Sequence, residues 1–285
     1  MQQPAPIRKA VLISCPGGGR NTFLRGAVRD PVNVASFLMS PTGGSWCQNE
    51  IIPLSNPSYP ELQALFGTIH ADYLMVYFSG HGYTNRDGLR MLCFGNYDIP
   101  DTAFSKCCHK LLIIVDACRT IPGASISGIP ELLSQYSFAP AVAQWARQLF
   151  NSHIICSPQG HKIIHATQTG LPAYDEFTGG VFTSSLLMSA MEAEGIQNFE
   201  PISIENLIEP VTNRIFSKGF KQYPGIAYTD GNLCVPFALN TPKIKVQRSS
   251  RQDQYQNPEN DLIKTAGLLL CAYALGNIFN GLGNR

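Results

Sequence analysis

A histidine and a cysteine each follow directly on an apolar run of strand length in this chain. His81 follows residues 73–80, and Cys118 follows residues 111–117. In an open α/β sheet, reactive groups lie at the carboxyl ends of the strands. If these two strands are neighbours, the sheet brings a thiol and an imidazole to the same edge. Such a pair is the minimum that nucleophilic catalysis by a thiol requires.

The segments that must position this pair alternate between strand and helix patterns. The strand-like runs are residues 10–15, 48–54, 73–80, 111–117, 153–156 and 226–237, with a small hairpin predicted around 89–94. The segments with helical spacing are residues 24–39, 60–69, 131–150, 181–191 and 204–216. Strands that alternate with helices indicate a largely parallel sheet. Pro31 and Pro210 predict interruptions in the first and last of these helices.

Composition narrows the classes of function. The chain has 285 residues, of which 44% are hydrophobic and 14% charged, which suits a substantial buried core. Its net charge is +1, so no electrostatic footprint for nucleic acid is expected. The nine cysteines lack metal-ligand spacing and predict reduced thiols in a cytoplasmic protein. The first nine residues hold no apolar core, which argues against a secretory signal.

The residues beside the histidine strengthen the catalytic interpretation. A strand-end cysteine alone is more often an inert core thiol, and a lone histidine more often has a structural role. Here both close hydrophobic strands of one predicted sheet. Gly80 and Gly82 flank His81, and glycine lets a substrate approach the backbone closely. We expect the backbone amides of Gly82 and Cys118 to stabilise an oxyanion.

The residues around this pair resemble those of the caspase-like cysteine peptidases, the clan of caspases, metacaspases and paracaspases. Residues 79–82 (Ser-Gly-His-Gly) match the histidine motif of that clan, and residues 116–119 (Asp-Ala-Cys-Arg) match its cysteine motif. Caspases usually carry Gln two residues before the cysteine, with the histidine about 50 residues upstream. Here Asp116 replaces that Gln and the histidine is closer, so the pattern resembles metacaspases more than caspases.

Three further segments extend the resemblance over about residues 8–238. They are residues 24–30 (Leu-Arg-Gly-Ala-Val-Arg-Asp), 179–183 (Gly-Gly-Val-Phe-Thr) and 222–224 (Gln-Tyr-Pro). The resemblance implies an α/β fold, a caspase-like three-layer sandwich with a six-stranded, mostly parallel sheet flanked by helices. It also implies hydrolysis of peptide bonds through an acyl-thioester on Cys118. His81 would then act as acid for the leaving amine and as base for the deacylating water.

The same resemblance suggests which peptide bond is cleaved. A carboxylate at Asp116, in the position that lines the P1 pocket in caspases, favours Arg or Lys at P1 through charge-assisted hydrogen bonds. Asp30 is a second acid that could share this pocket. Arg25 instead favours an acidic P1 residue, because a basic group near that loop serves acidic P1 recognition in caspases. Alternatively, Asp116 caps backbone amides or pairs with Arg119.

Activation, cofactors and partners are less constrained by the sequence. In this clan, loops after the catalytic cysteine are often cut, so residues 119–150 and 157–178 are candidate sites for cleavage by the enzyme itself or by another protease. If P1 is basic, Arg147 and Lys162 are the nearest candidates. No cofactor is predicted. Calcium activation stays open, although no EF-hand spacing is present, and the oligomeric state is not determined.

Composition changes at the end of the predicted peptidase domain, residues 1–240. Residues 241–261 are predicted to be a polar linker, and residues 262–285 an apolar tail. Residues 262–282 approach the length that crosses a bilayer, but Lys264 and two asparagines interrupt the pattern. The tail is therefore interpreted as a packed helix, a membrane-associated segment, or a helix that binds a partner or inhibits the enzyme.

Three classes of function remain at this point. The first is a cysteine endopeptidase acting on proteins or peptides. The second is a catalytically silent scaffold with the same fold, and the third is a membrane-associated effector that acts through the tail. The presence of both His81 and Cys118 favours the first.

Overall fold

Strands and helices alternate through the part of the chain that the computed structural model describes, residues 4–17, 22–117, 119–120, 136–193, 198–242 and 244–245. The strands are β1 (Arg8–Cys15), β2 (Ile51–Ser55), β3 (Tyr73–Gly80), β4 (Gly82–Thr84), β5 (Arg90–Cys93), β6 (Asp98–Pro100), β7 (Lys110–Ala117), β8 (Arg119–Thr120), β9 (Tyr136–Ser137), β10 (Gly160–His165), β11 (Ala173–Glu176), β12 (Gly179–Gly180), β13 (Glu200–Ile202), β14 (Gly225–Gly231), β15 (Ala238–Asn240) and β16 (Ile244–Lys245). The α-helices are α1 (Arg25–Met39), α2 (Tyr59–Thr68), α3 (Pro140–Cys156), α4 (Val181–Glu192) and α5 (Glu205–Ser217), with short 3-10 helices at Gln48–Glu50 and Asp101–Lys106.

Six strands form the central sheet in the order β14-β10-β7-β3-β1-β2. All neighbouring pairs are parallel except β10 and β14, which run antiparallel at one edge. The two long apolar runs, β3 and β7, lie side by side with both faces covered, as expected of a parallel sheet. The prediction of an α/β fold with a six-stranded, mostly parallel sheet is confirmed.

Alternate side chains of the sheet contribute to two separate cores. On β3, Met75 and Tyr77 pack into a core shared with helices α1, α3, α4 and α5. Val76 and Phe78 face the other way, into a core that includes Leu62 of α2 together with residues of β5 and of the second 3-10 helix. This two-residue period is that of a strand buried on both faces. Helices, sheet, and a second set of helices and strands therefore form three layers.

Helix α1 continues through Pro31, so the predicted interruption is wrong. Proline has no N–H to donate to the carbonyl oxygen of Ala27, four residues earlier. The hydroxyl of Ser14 donates to that oxygen instead, at 2.8 Å, from the neighbouring strand β1. The carbonyl therefore keeps a hydrogen bond and the helix stays regular. Helix α5 likewise continues through Pro210.

Residues 153–156 were predicted as a strand, and this is wrong because helix α3 extends to Cys156. Its buried residues Ala146, Phe150 and Ile154 recur every four positions, which is helical spacing. A short apolar run at the end of such a helix is easily mistaken for a strand. The strand in this region is β10, which begins four residues after the helix ends.

The C-terminal predictions fall mostly outside the described residues. Residues 246–285 contain most of the predicted linker and the whole apolar tail, and none of them is described. Within the predicted linker, Ile244–Lys245 forms β16, which pairs with β9. In the described part of the chain, no helix is long and apolar enough to cross a membrane.

Candidate active site

The neighbouring strands β3 and β7 end level with each other at the carboxyl edge of the sheet. Their register pairs Ser79 with Asp116 and Gly80 with Ala117. His81 follows β3 directly. Cys118, the residue after Ala117, lies outside the described residues. The predicted relation between the two strands is thus observed, whereas the roles of His81 and Cys118 stay predictions.

His81 is held by one described polar contact. Its imidazole is partly exposed, and Nε2 lies 2.7 Å from the carbonyl oxygen of Thr22. A carbonyl oxygen only accepts hydrogen bonds, so Nε2 carries a hydrogen and Nδ1 is left to exchange a proton in the neutral ring. Gly17 (φ +81°) approaches the ring so closely that a Cβ there would lie 2.7 Å from Nε2. The sequence analysis did not identify the Thr22 carbonyl, because no side-chain motif marks a backbone acceptor.

The amide of Gly82 points away from the hairpin that follows the histidine. Cys93 N donates to His81 O at 3.0 Å, and Asn85 N donates to Leu89 O at 2.9 Å. Because hydrogen-bonded and non-hydrogen-bonded pairs alternate in an antiparallel ladder, Gly82 and its partner Leu92 form a non-hydrogen-bonded pair. The ladder therefore does not use the Gly82 N–H, which suits the predicted oxyanion role without testing it.

Asp116 is fully buried and accepts hydrogen bonds from the first turn of helix α4. Its Oδ2 lies 2.6 Å from Thr183 Oγ1 and 3.2 Å from Thr183 N. Tyr77 Oη lies 2.5 Å from the same hydroxyl. Since the Thr183 hydrogen goes to the carboxylate, Tyr77 is the donor to Thr183. The alternative in which Asp116 caps backbone amides agrees with the Thr183 N contact, and the side chain at position 119 is not described.

Asp30 binds the same end of helix α4. It is fully buried, accepts from Ser79 Oγ at 2.6 Å, and accepts from the N-cap amide of Gly180 at 2.8 Å. The positive end of a helix dipole stabilises nearby carboxylates. The structure thus brings Asp30 and Asp116 to one helix N-terminus. The sequence analysis identified both acids but not Tyr77 or Thr183 as their partners, although Thr183 lay in one of its motifs.

Arg25 makes no described contact with Asp30 or Asp116. It is exposed at the start of helix α1, and its guanidinium lies 5.7 Å from the centre of the exposed Phe177 ring. The following amide, Gly26 N, donates to the buried Asp175 at 3.0 Å. Arg25 therefore contacts the turn between β11 and β12, and its part in substrate binding stays a prediction.

The two basic residues predicted as nearest cleavage sites are embedded in regular structure. Arg147 lies in helix α3 and binds both carboxylate oxygens of Glu50, at 2.9 and 2.7 Å. Lys162 lies in β10, which is paired on both sides, and forms an ion pair with Glu205. Proteases prefer exposed, flexible segments, so the structure argues against both positions. Residues 121–135 lie outside the described residues.

The sequence predicted no metal site and left only calcium activation open. Within the described ranges, no group of three or more His, Cys, Asp or Glu side chains could hold a metal ion. None of the seven cysteines in those ranges forms a disulfide. Calcium activation stays untested.

Comparison with known proteins defines the class. A family model described as the caspase domain matches residues 7–231, so the chain belongs to the caspase-domain family, which consists of cysteine-type peptidases. The fold is similar to that of caspase-1 from Spodoptera frugiperda, at 15% identity and a TM-score of 0.49, over 78% of this chain and 86% of that one. It is also similar to a structural genomics target from Geobacter sulfurreducens, at 14% identity and a TM-score of 0.48, over 83% and 98% of the two chains. No match was found among curated proteins.

Proposed function

We propose that this protein is a cysteine endopeptidase in which Cys118 is the nucleophile and His81 transfers protons. The observation that carries the proposal is the register of β3 and β7, which ends with Gly80 opposite Ala117. The next residue of each strand is His81 or Cys118. Membership of the caspase-domain family supports the same assignment.

The proposed reaction has two stages. The Cys118 thiolate attacks the peptide carbonyl, and the amides of Gly82 and Cys118 stabilise the oxyanion that forms. The C–N bond then breaks, His81 gives a proton to the leaving amine, and an acyl-thioester remains. Water, deprotonated by His81, attacks the thioester and releases the acid and the thiolate. The Thr22 carbonyl, by holding Nε2 of His81, supports Nδ1 as the nitrogen that exchanges these protons.

The proposal extends to cleavage after Arg or Lys. Asp30 and Asp116 bring two buried carboxylates to the start of helix α4, close to the edge where β3 and β7 end. A guanidinium or ammonium group at P1 gains most from charge-assisted hydrogen bonds to such acids. We also propose that the enzyme is made as a zymogen and activated by cleavage after β8, as the metacaspase resemblance suggests.

A panel of fluorogenic peptides that differ only at P1 tests the reaction and the specificity together. Wild type should cleave after Arg or Lys at least about 100-fold faster than after Asp, the ratio expected when about 2.7 kcal/mol of charge pairing is lost. Cys118→Ala and His81→Ala should abolish cleavage. Cys156→Ala and His70→Ala change an exposed thiol and an exposed imidazole elsewhere and should be active.

The outcomes separate the reaction from its specificity. Faster cleavage after Asp would overturn the P1 assignment but keep the cysteine mechanism. Cleavage that survives Cys118→Ala would overturn the mechanism itself. Activation is tested in a separate experiment. Wild type and Cys118→Ala are incubated in parallel, and N-terminal sequencing of any fragments identifies where each chain is cut.

A further inference from the structure

Arg90 places a positive charge on the core-facing side of the small sheet that follows His81. It alternates with Leu92 along β5, and both side chains are buried, Arg90 at 5% exposure. Leu92 packs in the core with Phe78 and Phe104. A charged residue in such a position is rarely buried unless it has a partner. Its burial therefore calls for an anion.

The described contacts of Arg90 do not include a carboxylate. Its Nη2 donates to the carbonyl oxygen of Thr167 at 3.3 Å, while its Nε is buried and donates to no described atom. No ion pair between described residues includes Arg90. Asp101, in the 3-10 helix packed on β5, pairs with His165 at 2.6 Å. The guanidinium thus keeps unused donors in a place where an unpaired charge is costly.

A second buried donor lies beside it. Thr167 is 1% exposed, and its hydroxyl has no hydrogen-bond partner among the described residues. Ala166 N donates to Val115 O at 2.9 Å, so Thr167 lies just beyond the last contact between β10 and β7, level with Ala117. The Arg90 guanidinium and the Thr167 hydroxyl can both donate to a carboxylate, which accepts up to four hydrogen bonds.

The two donors lie on the face of the sheet opposite the acids proposed for P1. Val115 and Ala117 face the core that contains Leu92, whereas Asp116 faces helix α4 through Thr183. The hairpin that carries Arg90 begins at the residue after His81. Since the proposed mechanism has His81 protonate the leaving amine, this side of the edge is the side of the leaving group.

We propose that Arg90 and Thr167 form a subsite for an acidic residue on the C-terminal side of the scissile bond, at the first or second position of the leaving peptide. The inference rests on the proposed peptidase function and adds a second determinant to it. A preferred substrate then carries a basic residue before the cleaved bond and Asp or Glu after it. The carboxylate is held by the guanidinium fork, with the Thr167 hydroxyl as a further donor.

Paired peptides test this subsite in wild type. Each pair has Arg at P1 and differs only by Asp or Asn at one of the two positions after the scissile bond. For one of these positions, the Asp peptide should be cleaved with about a tenfold higher kcat/KM, as a single charge-assisted hydrogen bond predicts. Arg90→Gln should remove this preference, so that the Asp and Asn peptides of a pair are cleaved with equal kcat/KM. Thr167→Val should reduce the preference.

Arg86→Gln is the matched control, because it removes the same charge from the exposed turn of the same hairpin. It should keep the full preference. Equal rates for Asp and Asn peptides in wild type would overturn the subsite even if Arg90→Gln failed to fold, while cleavage after Arg would keep the proposed function. If wild type that has been cut after β8 fails to cleave any peptide, both proposals are overturned.

Competition with acetate shows whether the site binds a carboxylate of the substrate or a free anion. At constant ionic strength, acetate should slow cleavage of the Asp peptide more than that of the Asn peptide. A rise in Tm with acetate, without any Asp preference, would assign the site to free anions and overturn the substrate subsite.

Discussion

The side-chain amide of Gln222 joins Tyr174 in β11 to Ala166, the residue directly after β10. Its Oε1 accepts from Tyr174 N at 3.1 Å, and its Nε2 donates to Ala166 O at 2.9 Å. Gln222 is fully buried. Tyr174 also pairs in register with Thr120, two residues after Cys118. One side chain thus fixes the strand that borders the segment after the proposed nucleophile.

Gln222→Leu should lower both stability and kcat. It leaves the part-buried N–H of Tyr174 and the buried C=O of Ala166 without their partner, which costs about 2–5 kcal/mol in the free energy of unfolding. Gln222→Glu keeps the acceptor and loses the donor, so its stability and kcat should lie between those of wild type and those of Gln222→Leu. Urea unfolding and kcat on an Arg peptide measure the effects. Gln144→Leu, at an exposed position of α3, should change neither quantity.

Ser14→Ala should destabilise the wild-type protein by about 1–2 kcal/mol, because Ala27 O loses its donor. In a Pro31→Ala background the same change should cost much less, since the N–H of residue 31 can then bond to that oxygen. A double-mutant cycle by denaturant unfolding measures the coupling. Equal costs in both backgrounds would show that Ser14 does not compensate for Pro31.

Thr183→Val should weaken cleavage after Arg, because it removes the hydroxyl that connects Tyr77 to Asp116. We expect a loss of about tenfold in kcat/KM, as for one hydrogen bond to a charged group. Thr183→Ser keeps the hydroxyl and should retain most activity. Thr68→Val, in the exposed last turn of α2, controls for the loss of a hydroxyl. A uniform loss of stability with unchanged P1 selectivity would make Thr183 purely structural.

The protein should become less stable as the pH falls, because Glu50 then loses its charge. Its carboxylate binds Arg8 at 3.3 Å and Arg147 at 2.7 Å. Burial raises the pKa of Glu50, but the hydrogen bonds from Arg147 and Cys47 N and the charge of Arg8 outweigh it and leave the pKa below its usual value. A carboxylate with a lowered folded-state pKa stabilises the protein above its unfolded pKa of about 4.3, and this contribution is lost as the pH falls through the folded pKa.

Glu50→Gln should therefore cost about 3 kcal/mol at pH 7, as expected when a buried ion pair is broken. The difference from wild type should shrink as the pH falls below about 4. Denaturant unfolding between pH 3 and 7 measures both. Glu209→Gln, at an exposed position of α5, should follow wild type throughout. A difference independent of pH would assign the loss to packing.

Cys15 should resist alkylation although it ends the strand next to β3. It is 2% exposed, and burial raises the pKa of its thiol to about 12, so the reactive thiolate is scarce at pH 8. Iodoacetamide should label the exposed Cys47, Cys156 and Cys234 much faster. Peptide mass spectrometry of Cys118→Ala reads each site separately. Labelling of Cys15 at the rate of Cys47 would contradict the burial argument.

The sequence was most informative where a local pattern decides the structure. The long apolar runs before His81 and Cys118 predicted β3 and β7 correctly, because a strand buried on both faces reads as a continuous apolar run. The interruption predicted at Pro31 was wrong because Ser14, in a different element, supplies the hydrogen bond that proline cannot donate to Ala27 O. The partner of Asp116, Thr183, lies 67 positions further on in the sequence. Such contacts depend on tertiary packing, which no local pattern encodes.

Asp30 and Asp116 are both anchored to backbone amides at the N-terminus of helix α4, Asp30 to the N-cap residue and Asp116 to the first turn. A slide or tilt of that helix would strain the contacts of both carboxylates at once. The two acids are therefore linked through the helix, and in the proposed P1 pocket neither would adjust to a substrate alone. Discrimination between Arg and Lys would then report the position of a whole helix, and a substitution on its buried side, far from any substrate, could retune the enzyme.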